Sequence, residues 1–260
     1  MIKCINCKNS KLKKIVSIGS QPLSGIFYRR KKYNLKKFPL DLYRCNKCKL
    51  VQLKKTAKKN SMFGETYEYR TSLSNLMVLH IKKKIKYLKK NIFFKRKLNI
   101  LDIGSNDGTF LNNFSKSNNL IGVDPSVNKF KKFYKKNVHI CNEFFSKKNL
   151  DSFIKRKKIN INKFDLITSF AMFYDVDDPN SFCKDISISL KNNGIWMLEL
   201  SYLPLMLKNL TYDQICHEHV GYYTLTSFKN IIQKYQIKII DVSFNEINGG
   251  SVEIICAKNN

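Results

Sequence analysis

Apolar and polar positions change rhythm at Leu98. Beyond it, short apolar runs of strand length alternate with stretches of helical period, which predicts a parallel sheet with helices on both faces. Strands are predicted at 98–103 (LNILDI), 119–124 (NLIGVD), 137–141 (NVHIC), 164–169 (FDLITS) and 194–200 (GIWMLEL). An amphipathic segment follows at 226–235. The last two runs, IKIIDVSF and SVEIICAK, are joined through Asn248-Gly249-Gly250, a strong hairpin signal. The fold class is therefore α/β, closing in an antiparallel hairpin. Ahead of the sheet, an aromatic stretch at 62–69 (MFGETYEY) leads into a predicted helix whose one face carries Leu73, Leu76, Met77, Ile81, Ile85 and Leu88. Residues 1–60 show little helical period and two proline-containing segments, as expected of loop-rich chain that needs a staple. Three units follow: 1–60, a linking helical segment 61–97, and a main domain 98–260.

Composition narrows this only a little. The 260 residues, 43% hydrophobic, contain no apolar run near the roughly 18 to 20 residues of a membrane-spanning helix. The N-terminus, MIKCINCKNSKLKK, lacks the apolar core of a secretory signal. A soluble, cytoplasmic protein with reduced cysteines is expected, without disulfides. The net charge of +29 has the sign of a nucleic-acid binder. Yet its lysines are scattered beside equally heavy use of Asn and Ile, as an A/T-rich genome would produce, so nucleic acid is not the expected partner.

Two chelating pairs, Cys4-x-x-Cys7 and Cys45-x-x-Cys48, have the spacing of a four-thiolate zinc site. Such a closed site leaves no coordination position for water, and its expected job is to fold a small module. A nucleic-acid-binding zinc ribbon is the alternative. Cys141, Cys183, Cys216 and Cys256 have no paired spacing.

Candidate cofactor chemistry sits where the first strand of the main domain gives way to a helix, in Leu101-Asp102-Ile103-Gly104-Ser105-Asn106-Asp107-Gly108-Thr109-Phe110. Gly104 permits a tight turn and close approach to a ligand, Gly108 permits close packing, and Asn106 is a residue that tolerates left-handed backbone. Asp124, followed by Pro125, ends the next strand 20 positions after Gly104, where an acid accepts hydrogen bonds from ribose hydroxyls. Asp165 and the run Ser169-Phe170-Ala171-Met172 are expected to edge the same pocket. The loop lacks the G-x-G-x-x-G spacing of dinucleotide binders, and together with the terminal hairpin it favours S-adenosylmethionine over a nicotinamide. This is the Rossmann-like arrangement of class I methyltransferases.

The densest chemical cluster is Tyr212-Asp213-Gln214-Ile215-Cys216-His217-Glu218-His219-Val220-Gly221-Tyr222-Tyr223. Its spacing is not that of the helical H-E-x-x-H metal pair, and an imidazole suits proton abstraction better. A polar turn held by internal hydrogen bonds is the alternative.

With the paired cysteines, Gln21-Pro22-Leu23, Phe38-Pro39-Leu40, Leu50-Val51-Gln52-Leu53, Met62-Phe63, Tyr67-x-Tyr69, the 101–111 loop, Asp124-Pro125-Ser126, His217-Glu218-His219 and Gly249-Gly250-Ser251, nearly the whole chain resembles the zinc-containing sugar C-methyltransferases. These enzymes act on nucleotide-linked keto-sugars in deoxysugar biosynthesis. The resemblance implies His219 as general base, Glu218 as the neighbour that orients it or contacts substrate, His217 and Tyr222 in the catalytic group, and Tyr69 and Tyr212 against the sugar. Three departures stand out. Cys216 replaces a Tyr that some members carry, Phe173-Tyr174-Asp175 has no His where a number of them place one, and the chain stops at Asn260 where members continue into a further domain. An acceptor site completed by a partner chain is one expectation. The alternatives are an O-methyltransferase and a cofactor-binding protein without activity of its own; an RNA methyltransferase lacks its N-P-P-Y or catalytic-Cys signature here.

Overall fold

The computed structural model describes residues 2–25, 34–54, 57–63, 67–92 and 97–259. Gly64, Glu65 and Thr66 of the aromatic stretch lie outside these residues. In chain order the elements are β1 (Leu12–Gln21), β2 (Phe38–Cys45), β3 (Val51–Leu53), α1 (Asn75–Asn91), β4 (Asn99–Ile103), β5 (Asn119–Val123), α2 (Val127–Phe130), β6 (Val138–Cys141), α3 (Lys147–Arg156), β7 (Phe164–Phe170), α4 (Pro179–Ser189), β8 (Leu190–Ser201), α5 (Leu203–Asn209), β9 (Gly221–Tyr222), α6 (Leu225–Ile232), β10 (Ile237–Asn245) and β11 (Ser251–Lys258).

Seven strands form one sheet in the order β10-β11-β8-β7-β4-β5-β6. β4 to β8 run parallel and β11 runs antiparallel to both of its neighbours. The order reverses at β4, whose successors lie on opposite sides, so the crevice beyond its carboxyl end is the natural ligand site. Alternation along the strands feeds two cores. Leu101, Ile167, Trp196, Leu198 and Ile254 face one cluster with Phe153, Phe182 and Phe228 of α3, α4 and α6. Ile100, Leu166, Ile195, Met197 and Ile255 face another, with Ile81, Ile85 and Leu88 of α1. Each is the period-2 signature of a sheet covered on both sides. Local signals mark the helix starts: Asp178 accepts from Asn180 N and Ser181 N ahead of Pro179, and Thr224 and Ser227 form a reciprocal cap on α6.

Several expectations change. β8 begins at Leu190, four residues before the predicted 194. The segment 226–235 divides into α6 and a 3-10 turn at Gln233–Tyr235. On α1, Leu76 is exposed, as is Leu73 in the turn before it. The inner face is Ile81, Lys84, Ile85 and Leu88, because the helix buries a charge as well as apolar groups. Lys84 Nζ meets Glu199 Oε2 at 2.7 Å and also pairs with Glu253. His80 Nε2 and Asn245 Nδ2 reach the same Glu199 carboxylate at 2.9 and 2.8 Å. Burial works to raise the Glu199 carboxyl, but the His80 hydrogen bond and the Lys84 charge bring it below its usual range.

The first sixty residues contain three strands besides their loops. β1, β2 and β3 form a small antiparallel sheet that β9 of the main domain completes, in the order β1-β2-β3-β9. β1 is an edge strand exposed along nearly all its length, so it carries no alternation to betray it. Leu40, Leu42, Val51, Leu53 and Tyr222 pack with Met206 of α5 beneath this sheet. Among the described residues, no helix is long and apolar enough to cross a membrane.

Phe173, fully buried, meets the rings of Phe182, Trp196, Tyr223 and Phe228 at centroid distances of 5.0 to 5.8 Å. Phe173→Ala is expected to cost about 3–5 kcal/mol, read as a lower urea midpoint at nearly constant m-value. An unchanged midpoint would mean that this aromatic cluster is not what ties α4 and α6 to their face of the sheet.

Candidate active site

The loop after β4 turns on left-handed backbone. Gly104 has φ 74°, Asn106 φ 48° and Gly108 φ 76°. A Cβ on Gly104 would stand 3.0 Å from Met172 Cγ, and one on Gly108 only 2.7 Å from the Tyr134 ring. Asn106 donates its N–H to Asp124 Oδ2 at 3.0 Å. Its side chain reaches the other way, accepting from Thr71 N (2.9 Å) and donating to Tyr69 O (3.0 Å). Asp107 accepts from Ser72 N at 3.0 Å and from Thr109 Oγ1 at 2.6 Å. Loop and linking segment are thereby clasped, with Tyr69 and Thr71 over a cleft of about 1040 Å³ counted to its open mouth.

Asp102, Gly104, Ser105, Asn106, Asp124, Pro125, Phe170, Ala171 and Tyr69 line that cleft. Asp107 and Gly108 do not; the first fastens the linking segment and the second packs on Tyr134. Asp165 lies at the opposite end of β7, where its carboxylate accepts from Asn99 N and Lys191 Nζ, each at 2.9 Å, so it does not edge the pocket. The cleft also takes in Lys59, Tyr67 and Asp175, none of which was singled out as a candidate site residue from sequence. An acid among apolar neighbours could have betrayed Asp175, since it stands between Phe173-Tyr174 and Val176.

Burial pushes the Asp102 carboxyl up to about 7, against a 2.7 Å hydrogen bond from Thr168 Oγ1. Asp124 is raised by burial too, but it accepts from Asn106 N, Ser126 N and Ser126 Oγ. A carboxylate offers roughly four lone-pair directions, so the Asp124 acceptor still has one for a ribose hydroxyl. A cradle of left-handed loop, acid and apolar walls fits adenosylmethionine: Asp124 keeps an acceptor direction for a hydroxyl, and Phe170 and Ala171 line the cleft.

The second cluster lies in the small module. Cys4 Sγ and Cys48 Sγ are 3.4 Å apart, Cys7 Sγ and Cys45 Sγ 3.5 Å, and all four sulfurs fall within 4.8 Å of one another. Tetrahedral zinc with bonds of about 2.3 Å spaces its sulfurs about 3.8 Å apart, so the donor set fits the ion. Each pair sits on a turn closed by the residue after it: Lys8 (φ 57°) donates to Cys4 O and Lys49 (φ 62°) to Cys45 O. Burial raises the Cys4 and Cys48 thiols. In Cys45 burial is outweighed by backbone N–H groups and Asn9, which bring it down to about 6.

The His-Glu-His segment is held between the two sheets. His217 Nε2 donates to Phe38 O at 3.1 Å, and its Nδ1 is buried without a partner among the described residues. Glu218 accepts from Ser24 Oγ (2.7 Å) and Gly25 N (2.8 Å). His219 Nδ1 donates to Gln214 O at 2.8 Å, and Tyr222 OH donates to the same carbonyl at 3.3 Å. A carbonyl only accepts, so Nδ1 carries the proton and the His219 lone pair is on Nε2. Burial lowers His219 to about 4, against the Gln214 carbonyl and the Glu218 charge. These four residues flank the cleft without lining it, and Tyr212, 77% exposed, stands away from both.

Comparison with known proteins agrees with this architecture. A family described as "Methyltransferase domain" matches residues 77–242, and one described as "Putative zinc binding domain" matches residues 4–63. C-methyltransferase NovU of Streptomyces niveus is 25% identical over 258 residues, 98% of this chain; the chain spans 60% of that relative's length. Among solved structures, the PH0226 protein of Pyrococcus horikoshii OT3 superposes with a TM-score of 0.55 at 16% identity, over 78% of this chain and all of that one. Magnesium protoporphyrin IX methyltransferase of Synechocystis PCC 6803, solved with bound SAH, gives 0.50 at 10% identity, over 70% of this chain and 83% of its own.

Two outcomes follow from the geometry. Asp124→Ala is expected to weaken adenosylhomocysteine binding by calorimetry on the order of 10- to 100-fold, the worth of hydrogen bonds to a charged group; equal affinity would place the ribose elsewhere. Metal analysis is expected to find one zinc per chain, lost in Cys45→Ser. Because β9 pairs with β3, that loss is expected to speed hydrogen exchange at Val220 and Tyr222 while Ile100 and Leu166 stay protected; unchanged exchange would uncouple the module from the His-Glu-His segment.

Proposed function

We propose, from the premise that this chain belongs to the methyltransferase-domain family, that it is an adenosylmethionine-dependent enzyme that methylates the carbon beside the ketone of a nucleotide-linked sugar. The observation that carries this reading is the hydrogen bond from His219 Nδ1 to Gln214 O, which leaves the imidazole lone pair on Nε2 as the base. Similarity to a C-methyltransferase along 98% of the chain supports the class of bond formed.

The bound methyl donor supplies an electrophilic methyl on a sulfonium. What the chain contributes is position and proton management. Nε2 of His219 takes the proton next to the carbonyl, and the C–H electron pair becomes that of an enolate, whose carbon is the nucleophile. Tyr174 packs against the imidazole at a centroid distance of 4.1 Å, fixing the plane of the base. Glu218 adds a charge that favours the imidazolium once it forms, and its two hydrogen bonds to Ser24 and Gly25 hold it there. Tyr67 and Tyr69 give the cleft an aromatic wall.

Incubation with methyl-labelled adenosylmethionine and a panel of dTDP-, GDP- and CDP-linked 4-keto-sugars is expected to place label on a sugar carbon. His219→Gln is expected to lower kcat by about 10²-fold or more with adenosylhomocysteine affinity unchanged. In the wild type, kcat/KM is expected to rise with pH through about 4, where the His219 imidazole loses its proton, and not near 6.5. Label on a hydroxyl oxygen, or on RNA, would replace this reading by O- or nucleic-acid methylation.

A further inference from the structure

Phe173, Tyr174 and Asp175 are three successive residues of one 3-10 turn at the carboxyl end of β7, and each does a different thing. The Phe173 ring is sunk in the aromatic core, Tyr174 lies against the His219 imidazole, and Asp175 lines the cleft. Backbone bonds leave the turn little freedom: Asp175 N donates to Met172 O at 3.0 Å, and Val220 N donates to Tyr174 O at 2.8 Å. The Asp175 carboxyl is thus fixed between the cofactor loop and the His-Glu-His segment. Its Oδ1 is shut off from solvent and has no hydrogen-bond partner among the described residues.

A buried, unpartnered carboxyl oxygen in a native cleft is costly unless a ligand satisfies it. The carboxyls around it are already served. Glu218 accepts from Ser24 and Gly25, Asp124 from Asn106 and Ser126, and Asp102 from Thr168. Asp175 alone of these four has a buried side-chain oxygen that no donor reaches among the described residues.

We propose that Asp175 is a further catalytic residue, a neutral carboxylic acid that donates its O–H to the oxygen of the acceptor as the adjacent carbon is deprotonated. The assignment rests on the function proposed above and deepens it. His219 removes the C–H proton to its Nε2; the C–H pair becomes the enolate double bond and the carbonyl π pair moves to oxygen. Asp175 O–H stabilises that oxygen by a hydrogen bond and keeps its proton. When the enolate carbon takes the methyl, the methyl–sulfur bond of the donor breaks with its pair left on sulfur, the C=O double bond re-forms, and the His219 proton leaves to solvent. A base as weak as His219 needs such help on the oxygen side, because the acidity of the C–H is set by how well the enolate oxygen is held.

The surroundings favour the neutral acid. Burial raises the Asp175 carboxyl well above its usual range, the Glu218 and Asp177 charges push the same way, and Lys59 opposes them. The other titratable neighbours are Tyr67, Tyr174, Cys216, Tyr222 and Tyr223. Their hydroxyls and thiol are themselves raised, first by burial, so they are neutral at pH 7 and add no cation that would ionise Asp175.

Wild type, Asp175→Asn and Asp175→Ala are to be compared with labelled adenosylmethionine and the same acceptor panel. Asn keeps volume and an N–H donor, so its kcat is expected within tenfold of wild type; Ala is expected to lose on the order of 10²-fold, with adenosylhomocysteine affinity within twofold in both. Wild-type kcat is expected to fall as pH rises past the raised carboxyl, because the donor is then lost, and Asp175→Asn is expected to lack that decline. The infrared difference between wild type and Asp175→Asn is expected to contain the stretch of a protonated carboxylic acid at pH 7, a readout that needs no acceptor. Ala within threefold of wild type, an alkaline decline retained in Asn, or no acid band at pH 7 each overturns the assignment. Should the label appear on a hydroxyl oxygen, carbon methylation fails as a reading, and enolate stabilisation by Asp175 falls with it. Should no acceptor be labelled while the acid band is present, the choice of acceptor is at fault and Asp175 stands as the neutral donor.

Discussion

Val220 donates its N–H to Tyr174 O and accepts at its carbonyl from Leu53 N, both at 2.8 Å. Through this one residue the turn that follows β7 is hydrogen-bonded to the small sheet that the cysteines staple. The His-Glu-His segment around it has no core of its own. It is a run of turns and bends whose last two residues form β9, and its position is borrowed from β3 on one side and the Phe173–Asp175 turn on the other. Everything on the acceptor side inherits that geometry. Gln214 fixes the His219 tautomer, Ser24 and Gly25 fix Glu218, and Phe38 fixes His217. A closed four-thiolate metal site at Cys4, Cys7, Cys45 and Cys48, as expected from its donor set, would therefore act on the acceptor side by stabilising the sheet edge that holds this segment.

Carboxyls in the cleft show how environment divides labour among one residue type. Asp124 is buried but accepts three hydrogen bonds, so its charge is supported and it suits a hydroxyl-rich ligand. Asp102 is buried with one side-chain donor and sits near 7, close to the point of changing state. Asp175 has an oxygen with no donor and neighbours of its own sign, and burial and those charges raise it well above the usual carboxyl range. Count of donors, more than depth of burial, separates an anion from a neutral acid here.

How much of this is legible in the sequence depends on whether a feature leaves a local trace. The strands do, because period-2 alternation between Ile100 and Leu101, or Ile167 and Leu166, is dictated by two covered faces. The four cysteines do, because chelation fixes their spacing. β1 does not: an exposed edge strand has no burial to impose a pattern, and LKKIVSIGSQ resembles loop. Asp107 and Gly108 belong to the cofactor loop in sequence, yet one faces the linking segment and the other Tyr134, since a turn sends adjacent residues in opposite directions. Tyr212 sits in the richest chemical run of the chain, but a 3-10 turn at Tyr212–Gln214 carries it outward. Lys84 broke an apolar helix face, a signal that was present, and its partners Glu199 and Glu253 lay more than a hundred residues away.

The net charge of +29 acquires a meaning only once the cleft is known. In physiological salt a surface lysine is screened beyond about 8 Å, so scattered basic side chains act weakly inside a cleft that admits just one lysine, Lys59, among the described residues. The local groups there are Asp102, Asp124 and Asp175 with the aromatic rings of Tyr67 and Tyr69, an environment in which a sulfonium is not opposed by the charge of the chain. Outside, the summed field has the opposite consequence: it draws anions toward the protein and raises their encounter rate. A donor that is cationic and an acceptor that carries a diphosphate, as proposed, are then served by different parts of the same molecule, the first by Asp124 and the aromatic rings at close range and the second by a diffuse surface potential. A basic composition, which on its own suggests nucleic acid, is equally the electrostatics suited to a small anionic substrate.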